Sequence, residues 1–147
     1  MNIFAAVHET PIRVRFDEVD SMGVVHHPRY LVYFEVARTA FMRDRGLPYA
    51  EVAAAGTHLA VIEAAARYLR PARYDDQLVV RTRCTEMGRT RLALAYEVLR
   101  GDELLATGST RHAAIDDAGR PRRLPESVRR TLADAAAVDG GPAACGE

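Results

Sequence analysis

The chain has 147 residues, which is the size of a single domain with a substantial core. Its 20 acidic and 20 basic residues give a net charge of zero, so charge offers no argument for binding nucleic acid or an anionic membrane. Two cysteines are too few for a disulfide framework or a metal cluster. The first ten residues lack a secretory signal, and no run of about eighteen apolar residues occurs, so we expect a cytoplasmic protein with no membrane span.

The first half of the chain predicts one strand and one long helix. Apolar and charged residues alternate over residues 12–16, which is typical of a half-buried strand. Pro28 suits the first turn of a helix, because its missing N–H has no partner to lose there. Apolar residues then recur at helical spacing from Tyr30 to Phe41, and Gly46 offers a C-terminal stop.

The second half is predicted to be mostly antiparallel strands. A short helix at 48–55, closed by Gly56, precedes strands at 58–69, 78–85, 91–100 and 103–115, and residues 125–138 form an amphipathic helix. We expect one domain over residues 1–138 and a disordered tail over 139–147. The pattern is that of an α+β fold, and because one helix is thin cover for five strands, we expect at least a dimer.

Residues 17–27, Asp-Glu-Val-Asp-Ser-Met-Gly-Val-Val-His-His, place acids, a glycine and histidines between the first strand and the long helix. A carboxylate at a strand end then lies close in sequence to the free N–H groups of a helix start. Such N–H groups stabilise a developing negative charge. This arrangement suits acyl transfer.

Residues 12–125 resemble the hotdog-fold acyl-CoA thioesterases of the 4-hydroxybenzoyl-CoA thioesterase family, in the branch that includes the small enzymes associated with Tol-Pal loci. The resemblance implies an antiparallel β-sheet wrapped around one long central helix. Val19 departs from the family pattern, which more often has threonine or cysteine there. The residues that carry the resemblance are Tyr30 and the blocks 14–20, 23–27, 34–38, 68–76 and 119–125, of which the first is specific to the family.

The resemblance implies that Asp20 is the catalytic carboxylate, acting either as a nucleophile on the thioester carbonyl or as a general base toward water. It places His27 at the helix start, where its backbone N–H polarises the carbonyl, and it places Val25 and Tyr30 against the substrate. The acyl pocket then lies at the interface of a homodimer or homotetramer, beneath the long helix, and no metal or redox cofactor takes part.

Surface arginines are the candidates for binding the CoA phosphates, because guanidinium groups bind phosphate through paired hydrogen bonds and the chain contains no lysine. Arg89 and Arg91 flank the Gly88 hairpin and are the first choice. The alternatives are three arginines of the loop before the last helix, Arg120, Arg122 and Arg123.

Other interpretations of the acidic residues remain open. Asp20 alone could be a turn or cap residue. Asp17 and Glu18 are expected to be structural or solvated. Glu35 could be the acid of hotdog thioesterases that carry their carboxylate on the helix, but Arg38 lies three residues on, which favours an ordinary ion pair.

A metal site of His26, His27 and Asp20 is disfavoured, because adjacent histidines diverge and no third strong ligand has regular spacing. His26 is more simply explained as solvent-facing or structural.

Two further functions compete with thioester hydrolysis. A hotdog hydratase or dehydratase would need a histidine and an acid at the β-carbon of an enoyl thioester, in an arrangement absent here. A non-catalytic acyl-thioester-binding module would have lost the acid, whereas Asp20 is retained. The candidates for lining the acyl pocket are Tyr33, Phe34, Val61 and Tyr68.

Overall fold

The computed structural model describes residues 7–137. Its elements in chain order are β1 (His8–Arg13), a 3-10 turn (Phe16–Glu18), α1 (Arg29–Asp44), α2 (Tyr49–Ala54), β2 (His58–Tyr68), β3 (Gln77–Met87), β4 (Arg91–Arg100), β5 (Glu103–Ile115) and α3 (Glu126–Ala137). The predicted disordered tail, including Cys145, lies outside the described residues.

The five strands form one antiparallel sheet in the order β1-β3-β4-β5-β2, with α1 packed on one face. Alternate residues of β4 are buried beneath the helix, as the period of two in a strand requires. Phe34 of α1 stacks on Tyr96 of β4 with ring centroids 4.4 Å apart. A Cβ at Gly108 of β5 would clash with the Phe34 ring, so only glycine allows the helix this close to the sheet. The predicted α+β hotdog fold is confirmed.

The sequence located most elements to within two residues. β4 and β5 have the predicted bounds, and α1 ends at the Gly46 stop, where that glycine has a φ of 88°. The position of the first strand was wrong, because β1 covers His8–Arg13 rather than residues 12–16. The chain turns at Arg15, whose backbone N–H donates to the Glu18 side chain over 2.9 Å, and Phe16 is left 77% exposed.

Glu18 is buried, with 6% of its surface exposed, and it ties this turn to α1. Its Oε1 accepts hydrogen bonds from the Tyr33 hydroxyl and the Arg15 backbone N–H, both over 2.9 Å. Its backbone carbonyl accepts from the His26 N–H, also over 2.9 Å. Burial and the Glu18 carboxylate hold the pKa of Tyr33 well above its ordinary value, so the phenol remains a donor. Glu18 is therefore structural, whereas Asp17 is exposed.

Replacing Glu18 with alanine is expected to lower the free energy of unfolding by about 2–3 kcal/mol, because the buried Tyr33 hydroxyl loses its acceptor and the Arg15 N–H its cap. Chemical denaturation of the wild type and the variant measures the difference. Asp17→Ala is the matched control, and its effect is expected to stay within about 0.5 kcal/mol. Equal stabilities for the two variants would contradict the structural role of Glu18.

Candidate active site

Asp20 opens a tight turn whose geometry leaves one carboxylate oxygen available. Its backbone carbonyl accepts from the Gly23 N–H over 2.9 Å, and Gly23 has a φ of 80°, which glycine adopts without strain. Oδ1 of Asp20 accepts from the N–H groups of Met22 (2.8 Å) and Val24 (3.3 Å). Oδ2 has no hydrogen bond within residues 7–137. Asp20 is thus a turn residue, as one interpretation held, and also carries a carboxylate oxygen that the turn does not use.

The start of α1 lies beside this turn. Pro28 is its N-cap and Arg29 its first helical residue, one position later than predicted. The His27 carbonyl accepts from the Tyr68 hydroxyl over 2.9 Å and from the Tyr30 N–H over 3.3 Å. The His27 N–H itself makes no hydrogen bond in the described part of the chain, so it is available to a carbonyl oxygen.

A cleft of about 380 Å³ brings together four predicted site residues, Asp20, Val25, His27 and Tyr30. Tyr68, at the end of β2, forms another wall, and its ring centroid lies 5.1 Å from that of Tyr30. Burial raises the pKa of Tyr30, which keeps its hydroxyl protonated at neutral pH. The cleft therefore combines a carboxylate, a helix-start N–H and aromatic walls.

Of the residues proposed to line the acyl pocket, only Tyr68 lies in this cleft. Tyr33 and Phe34 are fully buried in the core, and Val61 is half-exposed elsewhere on β2. Sequence reasoning missed Arg70, which follows β2, lines the cleft and lies 3.4 Å from the Glu103 carboxylate. Its position one residue before Pro71 made it resemble an ordinary loop arginine.

Arg89 and Arg91 do not meet Asp20 within one chain. The Asp20 turn is bonded to the segment just before β3, through the Val25 N–H and the Ala72 carbonyl, whereas the arginines follow the other end of that strand. Eleven residues of β3 span roughly 35 Å. Arg89 lines a separate cleft of about 290 Å³ with Arg123, Arg129 and one carboxylate, that of Glu126. Arg91 is exposed and lies outside this lining.

The ion pair predicted between Glu35 and Arg38 is not formed: no carboxylate of the described residues lies within ion-pair distance of Arg38. The Arg38 guanidinium instead donates a hydrogen bond to the Tyr96 hydroxyl, and its charge lies near the buried His112 ring, whose pKa it helps to lower. Glu35 is exposed and lies outside the Asp20 cleft.

Among the side chains that the structure describes, those of residues 7–133, no group of three or more His, Cys, Asp or Glu is arranged to hold a metal ion. The rings of His26 and His27 pack edge to face, with centroids 4.9 Å apart. None of the described helices is long and apolar enough to cross a bilayer.

Residues 14–132 match the model of the thioesterase-like superfamily. The acyl-CoA thioester hydrolase YbgC of Escherichia coli is 30% identical over 120 residues, which cover 80% of this chain and 90% of that protein. A hypothetical protein of Thermus thermophilus has 41% identity and a TM-score of 0.83 over 88% of this chain and 97% of its own. The DHNA-CoA thioesterase of Staphylococcus aureus has 29% identity and a TM-score of 0.84, over 91% and 93% of the two chains. The chain therefore belongs to the thioesterase-like superfamily and is a thioester hydrolase with a hotdog fold.

Proposed function

We propose that the protein hydrolyses acyl-CoA thioesters in the Asp20 cleft, releasing a carboxylic acid and CoA. One observation carries this proposal: Asp20 and His27 line the same cleft. In the described structure neither Oδ2 of Asp20 nor the backbone N–H of His27 makes a hydrogen bond, so both are available to a substrate. The names of the relatives and the family-specific block at residues 14–20 support the substrate class. They also support a place in the 4-hydroxybenzoyl-CoA thioesterase family, in the branch associated with Tol-Pal loci. We expect the enzyme to act in the cytoplasm without a metal or redox cofactor.

The chemistry needs two groups at the carbonyl. The His27 N–H donates to the thioester oxygen and stabilises the negative charge that develops there. Asp20 either attacks the carbonyl carbon, forming an anhydride that water then opens, or takes a proton from water as that water attacks. On either route the C–S bond breaks, water supplies the oxygen of the acid, and the sulfur leaves as thiolate and gains a proton.

Asp20→Asn is expected to lower kcat by about 10² to 10⁴, because an amide is neither a nucleophile nor a base here. Its oxygen can still accept from Met22 and Val24, so the turn and the melting temperature are expected to remain. Release of free thiol from a panel of acyl-CoAs measures turnover, and thermal unfolding measures stability.

Two further variants complete this test. Asp20→Ala is expected to lose both activity and about 1 kcal/mol of stability, since the turn loses its acceptor. Glu35→Gln is expected to retain activity, and loss of activity in Glu35→Gln alone would place the catalytic acid on α1. Enoyl loss without thiol release would indicate a hydratase, and saturable binding without turnover a binding module.

We infer that the protein is at least a homodimer, formed along the free edge of β2. This edge strand has eleven residues and its outer backbone groups face no other strand of the described sheet. A long apolar edge invites pairing with another chain. Several large apolar residues of β2 and the position after it have about half their surface exposed: Val61 (49%), Ile62 (48%), Tyr68 (46%) and Leu69 (50%).

Pairing of two β2 strands about a two-fold axis would also explain the position of Arg89. The sheet is antiparallel, so β2 begins at the end of the sheet where β3 ends and β4 begins. In an antiparallel β2 pair, that end of the partner lies beside the Asp20 cleft. Arg89 of the partner subunit, with its neighbours Arg123 and Arg129, is then placed to bind the CoA phosphates of a thioester held at Asp20.

Light scattering of the wild type is expected to give at least twice the chain mass of 16.2 kDa. Ile62→Asp is expected to shift the protein toward monomer and to lower kcat/KM with it, because it places charge at the pairing edge. Ala54→Asp, on the exposed surface of α2, is the control. A monomeric wild type with full activity would contradict the shared site.

Arg89→Glu is expected to raise KM in a salt-sensitive way with kcat nearly unchanged, because it reverses charge at a phosphate contact and not at the carbonyl. Arg91→Glu makes the same change in net charge outside the basic cleft. A similar rise in KM for both variants would extend the phosphate site to Arg91, and no rise for either would move it elsewhere.

Mixed dimers of Asp20→Asn and Arg89→Glu chains test whether the two residues serve one site across the interface. Each mixed dimer would contain one site with both native residues and one with neither. Activity at low substrate concentration is expected to exceed that of either homodimer. No gain on mixing would contradict a site shared by Asp20 of one chain and Arg89 of the other.

A further inference from the structure

The connection between β2 and β3, residues 69–76, contributes part of the wall of the Asp20 cleft and also runs beside the Asp20 turn. Its Ala72 is fully buried, and the Ala72 carbonyl accepts from the Val25 N–H over 2.8 Å. The Ala72 backbone also forms a hydrogen bond with the Tyr30 hydroxyl. Val25 and Tyr30 both line the cleft, one before and one after the helix start, so the position of Ala72 affects both.

Arg73, the next residue of the connection, contacts the turn itself. It pairs with Val24 in an isolated antiparallel bridge. The Val24 N–H donates to Oδ1 of Asp20 over 3.3 Å, and the Val24 carbonyl accepts from the Asp20 N–H over 2.8 Å. Through Val24, the connection therefore reaches the carboxylate that is proposed to act on the thioester.

One side chain at the end of β4 holds this connection in place. Nη1 of Arg100 donates to the Pro71 carbonyl over 3.3 Å and to Oδ2 of Asp76 over 2.7 Å. The same Asp76 oxygen accepts from the Arg73 N–H over 2.8 Å. A single guanidinium thus binds the connection on both sides of Ala72, at Pro71 and at Asp76.

The pair of Arg100 and Asp76 is partly shielded from water, with 32% and 23% of the two side chains exposed. Burial acts to raise the pKa of Asp76, but hydrogen bonds from the Arg73 backbone and from Arg100 outweigh it and hold the pKa below its ordinary value. The carboxylate is therefore charged at neutral pH. Nη2 of Arg100 also donates to Glu103 over 2.7 Å, which fixes the orientation of the guanidinium. A guanidinium bound at several N–H groups has a defined geometry, so this pair is suited to holding a position.

We propose that Arg100 and Asp76 are positioning residues for the reaction. They hold the connection against the Asp20 turn, and so keep the Asp20 carboxylate and the His27 N–H at the separation that the chemistry needs. Neither Arg100 nor Asp76 lines the cleft, so both act through the backbone of the connection and not on the substrate. A misplacement of about 1 Å at a reacting group can cost about 10² in rate. The effect on rate rests on the proposed hydrolysis, whereas the clamp itself can be measured without substrate.

Amide hydrogen exchange of the full chain tests the clamp directly. In Arg100→Gln and in Asp76→Ala, the Val25 amide is expected to exchange at least about tenfold faster than in the wild type, because its acceptor on Ala72 is no longer held. The Tyr96 amide, in the middle of β4, is expected to keep its wild-type rate. Equal acceleration at both amides would show a general loss of stability and contradict the proposal, as would an unchanged Val25 rate.

Release of thiol from acyl-CoAs measures the effect on turnover. Arg100→Gln and Asp76→Ala are each expected to lower kcat at least about tenfold and to keep KM within about twofold of the wild type, since only the reacting groups are displaced. The double variant is expected to be no slower than the slower single variant, because the two residues act as one unit.

Glu86→Ala is the matched control, because it breaks a comparable pair, that of Glu86 with Arg111, at the other end of β3. It is expected to keep the wild-type kcat and the wild-type exchange rate of Val25. The proposal is overturned if Glu86→Ala shows the same losses as Asp76→Ala, if kcat stays at the wild-type value while Val25 exchanges faster, or if the two effects on kcat multiply in the double variant. Absence of thiol release from the wild type would count against thioester hydrolysis, and the exchange rates alone would then decide whether the clamp exists.

Discussion

The buried carboxylate of Glu18 holds the Asp20 turn against the helix that completes the cleft. Burying a charge is costly unless donors surround it, and here Arg15 and Tyr33 supply them from two segments of the chain. Because the Glu18 carbonyl also binds the His26 N–H, this one residue positions both Asp20, two residues on, and the entry to α1. The proposed chemistry needs those two parts at a fixed separation. The hydrogen bonds that offset the cost of burying Glu18 also hold the two parts in place.

The close approach of α1 to the sheet has a second consequence, which is the separation of two cavities along one helix. Phe34 packs on Tyr96 and over Gly108, and with Tyr33 it fills the space between the helix start and its middle. The Asp20 cleft lies before this aromatic layer, and a cavity of about 210 Å³ lined by Glu35, Arg38 and His112 lies after it. Tyr96 contributes to both features: its ring stacks on Phe34, and its hydroxyl is hydrogen-bonded to Thr110, whose hydroxyl is bonded to the His112 ring. Packing and hydrogen bonding at Tyr96 thus help to keep the two cavities apart.

The sequence predicted most where local chemistry and tertiary packing agree. Alternating residues bounded by the Gly101 turn located β4 and β5, and the family block identified Asp20, Val25, His27 and Tyr30, which the structure places in one cleft. It failed at β1, where the same alternation continued past the true strand end. A side chain three residues ahead, that of Glu18, captures the Arg15 N–H and turns the chain, and periodicity carries no trace of that hydrogen bond.

The spacing of Glu35 and Arg38 was misleading for a related reason. A separation of three residues on a helix allows an ion pair, but tertiary structure decides whether it forms. Here the Arg38 guanidinium donates to the Tyr96 hydroxyl and forms no ion pair with Glu35. His112 likewise looked like any strand residue, since its burial close to Arg38 becomes visible only once β5 and α1 are assembled. The cavities could not be predicted from the sequence, because each is the space left between several packed elements and depends on their relative positions.

Strand order places a further demand on the proposed enzyme. An antiparallel sheet puts the Asp20 turn at one end and the basic cleft of Arg89 at the other, and no motion of side chains closes the length of β3. A second copy paired along β2 reverses the direction of the sheet and brings opposite ends together. In this arrangement, pairing along the exposed apolar edge of β2 brings the phosphate-binding arginines of one chain to the Asp20 cleft of the other. An isolated chain would then keep its carboxylate and its helix start but lack the cations for the phosphates, so association and turnover would be linked through one strand.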